Sequence, residues 1–373
     1  MNPRFGRAEE TFRDEVRALL ADYRDLDGFF RQGHQWARVK QLFEAMGERG
    51  WLSLAWPEAD GGLGLGPAYE YILWDETAYA RAARNPLSAG IVARSLIRVG
   101  SPEQKRRWLP DIRSGSLHFS LAYSEPEAGA DLASLRCRAI ATDDGYLIEG
   151  QKCWQSYAQD MDCFWLLART GEPESRARGL SLFIVPKDTP GVSVRPLPLL
   201  DDDQLNEVHF DGVQVPALAR VGPENGAWAI MGEALADERH IQFPPGRVRR
   251  DLEEMTAWLG ARGLDRDPVV RRRMSELAVE AAEVEVHALG VVDAMIRGRP
   301  AAAAAAANKI AHTLASQHIA RAVLALGGPD ALVVGERPEL LWRQSLWETI
   351  GGGTTEIMRS VVAQQALGLS GRG

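Results

Sequence analysis

The sequence predicts an α+β multidomain fold: a helical domain over 1–117, an antiparallel β-domain over 118–225 and a C-terminal four-helix bundle over 226–373. Two observations carry this expectation. The spacing of apolar residues changes from a helical period to short β-branched and aromatic runs near 118, and back again near 226. The chain is also 373 residues long, more than a single hydrophobic core usually spans, so two or three domains are expected.

In the first segment Phe12, Val16, Leu19, Leu20 and Tyr23 recur at helical spacing, as do Trp36, Val39, Phe43 and Met46. Ser101-Pro102-Glu103-Gln104 reads as a helix start, with an N-cap serine, proline at the first helical position and a capping-box glutamine. The run Gly61-Gly62-Leu63-Gly64-Leu65-Gly66 follows no strand and lacks the Lys-Ser/Thr of a P-loop, so a surface turn is expected. In the second segment, 136–142 and 146–148 flank an Asp-Asp-Gly turn and read as a hairpin. Further strands are expected at 163–168, 180–185, 192–195 and 208–210, punctuated by prolines 186, 190, 196, 198 and 216. In the third segment, helices are expected at 227–240 and 268–296, from Pro300 through the alanines at 301–307 to about 326, and after the glycines at 351–353. Alanine is the strongest helix former, so the alanine run reads as packed helix rather than a disordered tract.

Composition narrows the function. Hydrophobic content of 45% and charged content of 25% are ordinary for a globular protein. A formal charge of −8 argues against a general nucleic-acid binder. No signal-peptide pattern opens the chain, and no apolar run reaches the roughly 18 residues that cross a bilayer. Three cysteines, Cys137, Cys153 and Cys163, lack zinc-like spacing and suit reduced thiols. No metal and a cytoplasmic location are therefore expected.

Three motifs carry the chemistry. Residues 349–366 read T-I-G-G-G-T-T-E-I-M-R-S-V-V-A-Q-Q-A, a glycine run entering a helix with Ile357, Val361 and Val362 on one face. Such a start can seat a phosphate on its unpaired N–H groups. Residues 121–135 read L-A-Y-S-E-P-E-A-G-A-D-L-A-S-L, and residues 150–156 read G-Q-K-C-W-Q-S. In this order and spacing, and over nearly the whole chain, the three resemble the acyl-CoA dehydrogenase family of flavoproteins.

The resemblance implies noncovalent FAD and the α,β-dehydrogenation of an acyl thioester, on CoA or on an acyl-carrier protein. It also implies a homo- or heterotetramer that passes electrons to an electron-transfer flavoprotein or similar acceptor. By resemblance, Leu121, Tyr123 and Ser124 meet the flavin, Trp154 stacks on its ring and Ser156 bonds near N5. Thr354 and Glu356 would meet the pyrophosphate or ribose end, Gly353 the substrate, and Gly327 and Gly328 the FAD of a neighbouring subunit.

The sequence also departs from the family pattern. The glutamate that many members place before the Gly-Thr of the C-terminal signature is Gly352 here. A minority of members carry the base directly before an arginine on an earlier helix, and that pair exists as Glu238-Arg239. Glu238 is therefore the expected base, Asp237 its nearest rival and Glu233 a further acid on the same helix. Ala130 stands where relatives have a serine near the pantetheine arm, and D-P-V-V-R-R-R-M-S-E-L at 267–277 replaces an R-x-x-F-G motif that reaches FAD across subunits. Three readings follow. The chain is a complete flavoenzyme using Glu238, or a partner subunit of an α2β2 heterotetramer holding part of a site, or, less favoured, a flavin oxidase or monooxygenase.

Overall fold

A computed structural model describes residues 5–27, 33–201 and 203–369; the side chains of 235–240 lie outside the described set. The chain forms two compact units that cut across its sequential segments. One comprises Met1–Gln32, Gly66–Arg84 and Arg239–Gly373, the other Gly33–Leu65 and Asn85–Glu238.

The second unit contains helices α2 (Trp36–Glu48), α4 (Ala93–Val99) and α5 (Pro102–Ser114), with a π-helical turn at Ser88–Val92. The capping box starting α5 forms as read: Gln104 N donates to Ser101 Oγ at 3.1 Å, and Ser101 N to Gln104 Oε1 at 2.8 Å. Such a cap contributes about 1 kcal/mol. Gln104 Nε2 also donates to the carbonyls of Leu218 and Arg220, tying α5 to the edge of the sheet.

The sheet comprises β1 (Phe119–Ala122), β2 (Arg138–Thr142), β3 (Gly145–Ser156), β4 (Cys163–Arg169), β5 (Leu180–Pro186), β6 (Val192–Pro198), β7 (Gln204–Pro216) and β8 (Arg220–Val221). Its order is β6-β7-β3-β2-β4-β5-β8, with β1 added beside β4. The expected hairpin is β2–β3. The sheet is not purely antiparallel, which corrects the sequence reading. β1 runs parallel to β4 from Phe119↔Cys163 to Ala122↔Leu166, and β2 meets β4 in parallel at Arg138↔Arg169. The intervening chain is long enough for the crossover that parallel pairing requires. The core gathers Ile148, Phe164, Leu166, Phe183, Val185, Val208, Phe210 and Val213. The three cysteines are buried and unpaired in disulfides, as expected of core residues.

The first unit holds α1 (Arg7–Leu20) and α3 (Pro67–Tyr79), followed by α7 (Pro245–Gly260), α8 (Pro268–Ile296), α9 (Ala302–Gly327), α10 (Arg337–Glu348) and α11 (Thr355–Gln365). Helix α6 (Ala227–Gln242) leads from the second unit into it. Two helices here, α7 and α10, were not expected from the sequence. The α7 sequence is dense in charge, though Val248, Leu252, Met255 and Leu259 recur at helical spacing, and the prolines at 244 and 245 break it from α6. The helix expected from Pro300 starts at Ala302. Five of these helices share one core: Ala78 of α3, Val248, Met255 and Leu259 of α7, Leu277 and Val284 of α8, Ile319 and Val323 of α9, and Leu341 of α10.

Charge is buried beside this core. Arg247, 1% exposed, pairs with Asp251 and Glu348, and Arg81 pairs with Asp251 and Glu254. Asp75 accepts from Arg249 at 2.9 Å. Ions this far from water persist only when paired, because each costs several kcal/mol to desolvate.

Candidate active site

In the β-containing unit, two of the motif segments lie side by side. Cys153 N donates to Ser124 O at 2.9 Å, Lys152 Nζ to Tyr123 O at 3.0 Å and Ser120 Oγ to Ser156 O at 2.9 Å. The pairing of β3 with β7 is interrupted between Lys152 and Gln155. At that bulge Trp154 takes φ +66°, a left-handed conformation rare for a bulky side chain. Bulges re-aim side chains, and here Trp154 is 48% exposed, so the indole is not core. Ser156, two residues on, is exposed too, whereas Lys152, Cys153 and Gln155 are buried. Leu121 and Ser124 are half-buried and Tyr123 is buried. A half-exposed indole, an exposed hydroxyl and a braced backbone segment form a surface that fits a flat, polar-edged ring. Ala130 is exposed beyond this loop.

In the helical unit, the glycine loop is fixed by a buried lysine. Lys309 of α9 is 0% exposed and donates to Gly353 O at 2.7 Å and Thr349 O at 3.2 Å. Gly352 and Gly353 both have positive φ, at +68° and +95°. Thr354 is the N-cap of α11, its hydroxyl accepting from Ile357 N at 3.2 Å. Glu356 lies in the first turn of α11, its carboxyl held below the usual range by its own backbone N–H and by Thr354. An acid at that helix start already complements the positive end of the dipole, which weakens its use as a phosphate seat.

The remaining expected residues fall elsewhere. Gly327 ends α9, eighteen residues beyond Lys309 and so about 27 Å along the helix, apart from the Gly353 loop. Packing explains Gly327: a Cβ there would meet Trp258 at 2.6 Å, while Gly328 takes φ +59°. Glu238, Arg239 and Asp237 occupy α6, and their side chains lie outside the described residues. Glu233 is a surface acid, 59% exposed and paired with Arg98 at 3.1 Å. Sequence reasoning missed Lys152, Lys309 and Phe243, whose ring lies 3.3 Å from where a Cβ on Gly352 would stand. The first two are polar residues in otherwise ordinary patterns, and nothing local marks them as buried.

Among the described residues, no group of three or more His, Cys, Asp or Glu is placed to hold a metal, and no helix is long and apolar enough to cross a membrane.

A helical segment, a β-sheet segment and a second helical segment, with an exposed Trp-x-Ser strand beside a Ser-Glu-Pro loop, define the acyl-CoA dehydrogenase class of fold. The chain belongs to the acyl-CoA dehydrogenase family: the N-terminal, middle and C-terminal domains of that family match residues 7–116, 120–213 and 225–367. It is 35% identical over 354 residues to acyl-CoA dehydrogenase FadE26 of Mycobacterium tuberculosis, covering 88% of each chain. Acyl-CoA dehydrogenase FadE29 of the same organism is 31% identical, with 88% of each chain covered. Among solved structures, the Tcur3481-Tcur3483 steroid ACAD superposes with a TM-score of 0.91 at 31% identity, covering 99% of this chain and 100% of that one. The ChsE4-ChsE5 complex from Mycobacterium tuberculosis superposes with a TM-score of 0.89 at 31% identity, with 100% of each chain covered. The chain is thus an oxidoreductase of the acyl-CoA dehydrogenase family, a family of flavoproteins.

Proposed function

We propose that the chain binds FAD and dehydrogenates an acyl thioester, with Glu238 as the base. The carrying observation is at position 352. A Cβ on Gly352 would lie 3.3 Å from Phe243 Cζ and 4.0 Å from Gln242 Oε1, so the signature position has no carboxylate and an aromatic ring closes over it. Gln242 closes α6, the same helix that carries Glu238 in its sequence.

FAD, when bound, would supply the hydride acceptor that no side chain offers. Leu121, Tyr123 and Ser124 would hold the ring edge, Trp154 would cover its face and Ser156 would bond beside N5. Glu238 removes the α-proton, Arg239 and Gly353 position the thioester, and the backbone amides of the glycine loop stabilise charge developing on its oxygen. Thr354 and Glu356 would face the ribose or pyrophosphate end, and Gly327 and Gly328 would face a neighbouring subunit's FAD. The substrate is an acyl-CoA or carrier-protein thioester, the electron acceptor an electron-transfer flavoprotein or similar protein, and the setting cytoplasmic. The test is anaerobic bleaching of bound flavin by an acyl thioester, wild type against Glu238→Gln. Equal rates would remove Glu238 from the role.

A second reading makes the chain one half of an α2β2 assembly with an unlike partner. It is favoured by two similar structures that pair differently named proteins, Tcur3481-Tcur3483 and ChsE4-ChsE5, and by the absence of R-x-x-F-G. A steroid thioester is then the first substrate class to try, since Tcur3481-Tcur3483 is a steroid ACAD. Flavin content and mass in solution, measured with and without a co-expressed partner, separate the two readings.

A further inference from the structure

Lys152 is fully buried in β3, and its ammonium has two acceptors: Glu125 Oε1 at 2.8 Å and the carbonyl of Tyr123 at 3.0 Å. Glu125 is itself 6% exposed and accepts from the backbone amides of Arg136 at 2.7 Å and Cys137 at 2.9 Å. Its own backbone closes the tight turn to Ala128, with Glu125 N to Ala128 O and Ala128 N to Glu125 O both at 3.0 Å. The next carbonyl after Tyr123, that of Ser124, accepts from Cys153 N. Two consecutive peptide carbonyls at the Ser-Glu-Pro loop are therefore held by residues of β3, one by the Lys152 ammonium and one by the Cys153 amide.

In a trans peptide the N–H points opposite to the C=O. With the Tyr123 carbonyl fixed on the ammonium, the Ser124 N–H is turned away from that ammonium. A cation bound at one end of a peptide unit also strengthens the donor at the other, because hydrogen-bonded dipoles in a low-dielectric interior polarise one another. The pair has parts of opposite effect: the Lys152 charge strengthens the donor, and the Glu125 charge offsets it.

We propose that Lys152 is a positioning residue, which through the Tyr123–Ser124 peptide aims and polarises the Ser124 amide at the flavin edge, with Glu125 setting the strength of that effect. The inference rests on the FAD reading above. An electron-rich reduced ring gains more from a strong donor than an oxidised ring does, so Lys152 raises the affinity for reduced flavin relative to oxidised, and Glu125 lowers that ratio.

The test titrates apoprotein with FAD and measures the midpoint potential of the bound flavin in wild type, Lys152→Met, Lys152→Arg and Glu125→Gln. Lys152→Met should weaken FAD binding at least about tenfold and lower the reduced-to-oxidised affinity ratio about tenfold, a shift of about −30 mV for a two-electron couple. Lys152→Arg, which keeps the charge, should restore most of the potential. Glu125→Gln should move the potential upward. A purely structural pair would shift Lys152→Met and Glu125→Gln in the same direction, and that result, or no shift in either, overturns the proposal. If Lys152→Met does not fold, the sign for Glu125→Gln decides alone: unchanged or lower refutes it. A wild-type chain that takes up no FAD, alone or with a partner, refutes the FAD reading itself and so removes the basis of this one.

Discussion

Phe243 Cζ stands 3.3 Å from the point where a Cβ on Gly352 would lie, so the ring closes the space that a side chain there would need. Gly352 also has φ +68°, which any residue with a Cβ adopts at a cost of about 1–3 kcal/mol. Moving the base back to this position therefore meets two obstacles. Gly352→Glu in a Glu238→Gln background should lose about 1–3 kcal/mol of stability and leave flavin bleaching undetectable. Adding Phe243→Ala should recover measurable bleaching. Recovery without the Phe243 change would show that the ring yields freely.

Glu238→Gln should slow the reductive half-reaction by at least about 10²-fold, the usual scale for loss of a general base. FAD content should stay within error of wild type. Stopped-flow absorbance under anaerobic conditions reads both.

Trp154→Ala should separate stability from flavin retention. The indole is 48% exposed, so little apolar contact is lost and the urea midpoint should fall only slightly. The ratio of flavin to protein absorbance after gel filtration should drop several-fold. A large loss of stability with unchanged flavin content would return the indole to a packing role.

Removing Arg247 should expose the cost of buried charge. Arg247→Met leaves Asp251, 0% exposed, and Glu348, 4% exposed, with less compensation, and breaking such a pair costs about 3–5 kcal/mol. Arg247→Met with Glu348→Gln should be more stable than the sum of the single changes. A urea double-mutant cycle measures the coupling, and strict additivity would contradict the pairing.

Acid should weaken the fold through His312. Burial, with the nearby charge of Arg247, lowers its pKa from 6.5 to about 3. The unfolded chain takes up this proton near pH 6.5, the folded chain only near 3, so the contribution is complete above about 6.5 and is lost as pH falls toward 3. His118, lowered to about 4 mainly by burial, acts in the same direction. His312→Gln should flatten, and His118→Gln partly flatten, the decline of the urea midpoint between pH 7 and 4.

What the sequence determined was local or motif-borne. Apolar spacing marked Phe12–Leu20 and Val39–Met46 as helix faces, the Ser101–Gln104 cap appeared as read, and the Asp-Asp-Gly turn joined β2 to β3. The three motifs were enough to give the family. Tertiary structure decided the rest, because burial and pairing arise between segments distant in sequence. It set β1 parallel to β4, since nothing in either strand specifies its neighbour. It carried the α1 and α3 segments into one compact unit with the C-terminal helices, through contacts such as Arg81 with Asp251. It turned Trp154 outward at a bulge whose existence depends on the register with β7. It buried Lys152 and Lys309, two lysines whose sequence neighbours gave no sign that their charges would be met by backbone carbonyls and, for Lys152, by the Glu125 carboxylate rather than by water.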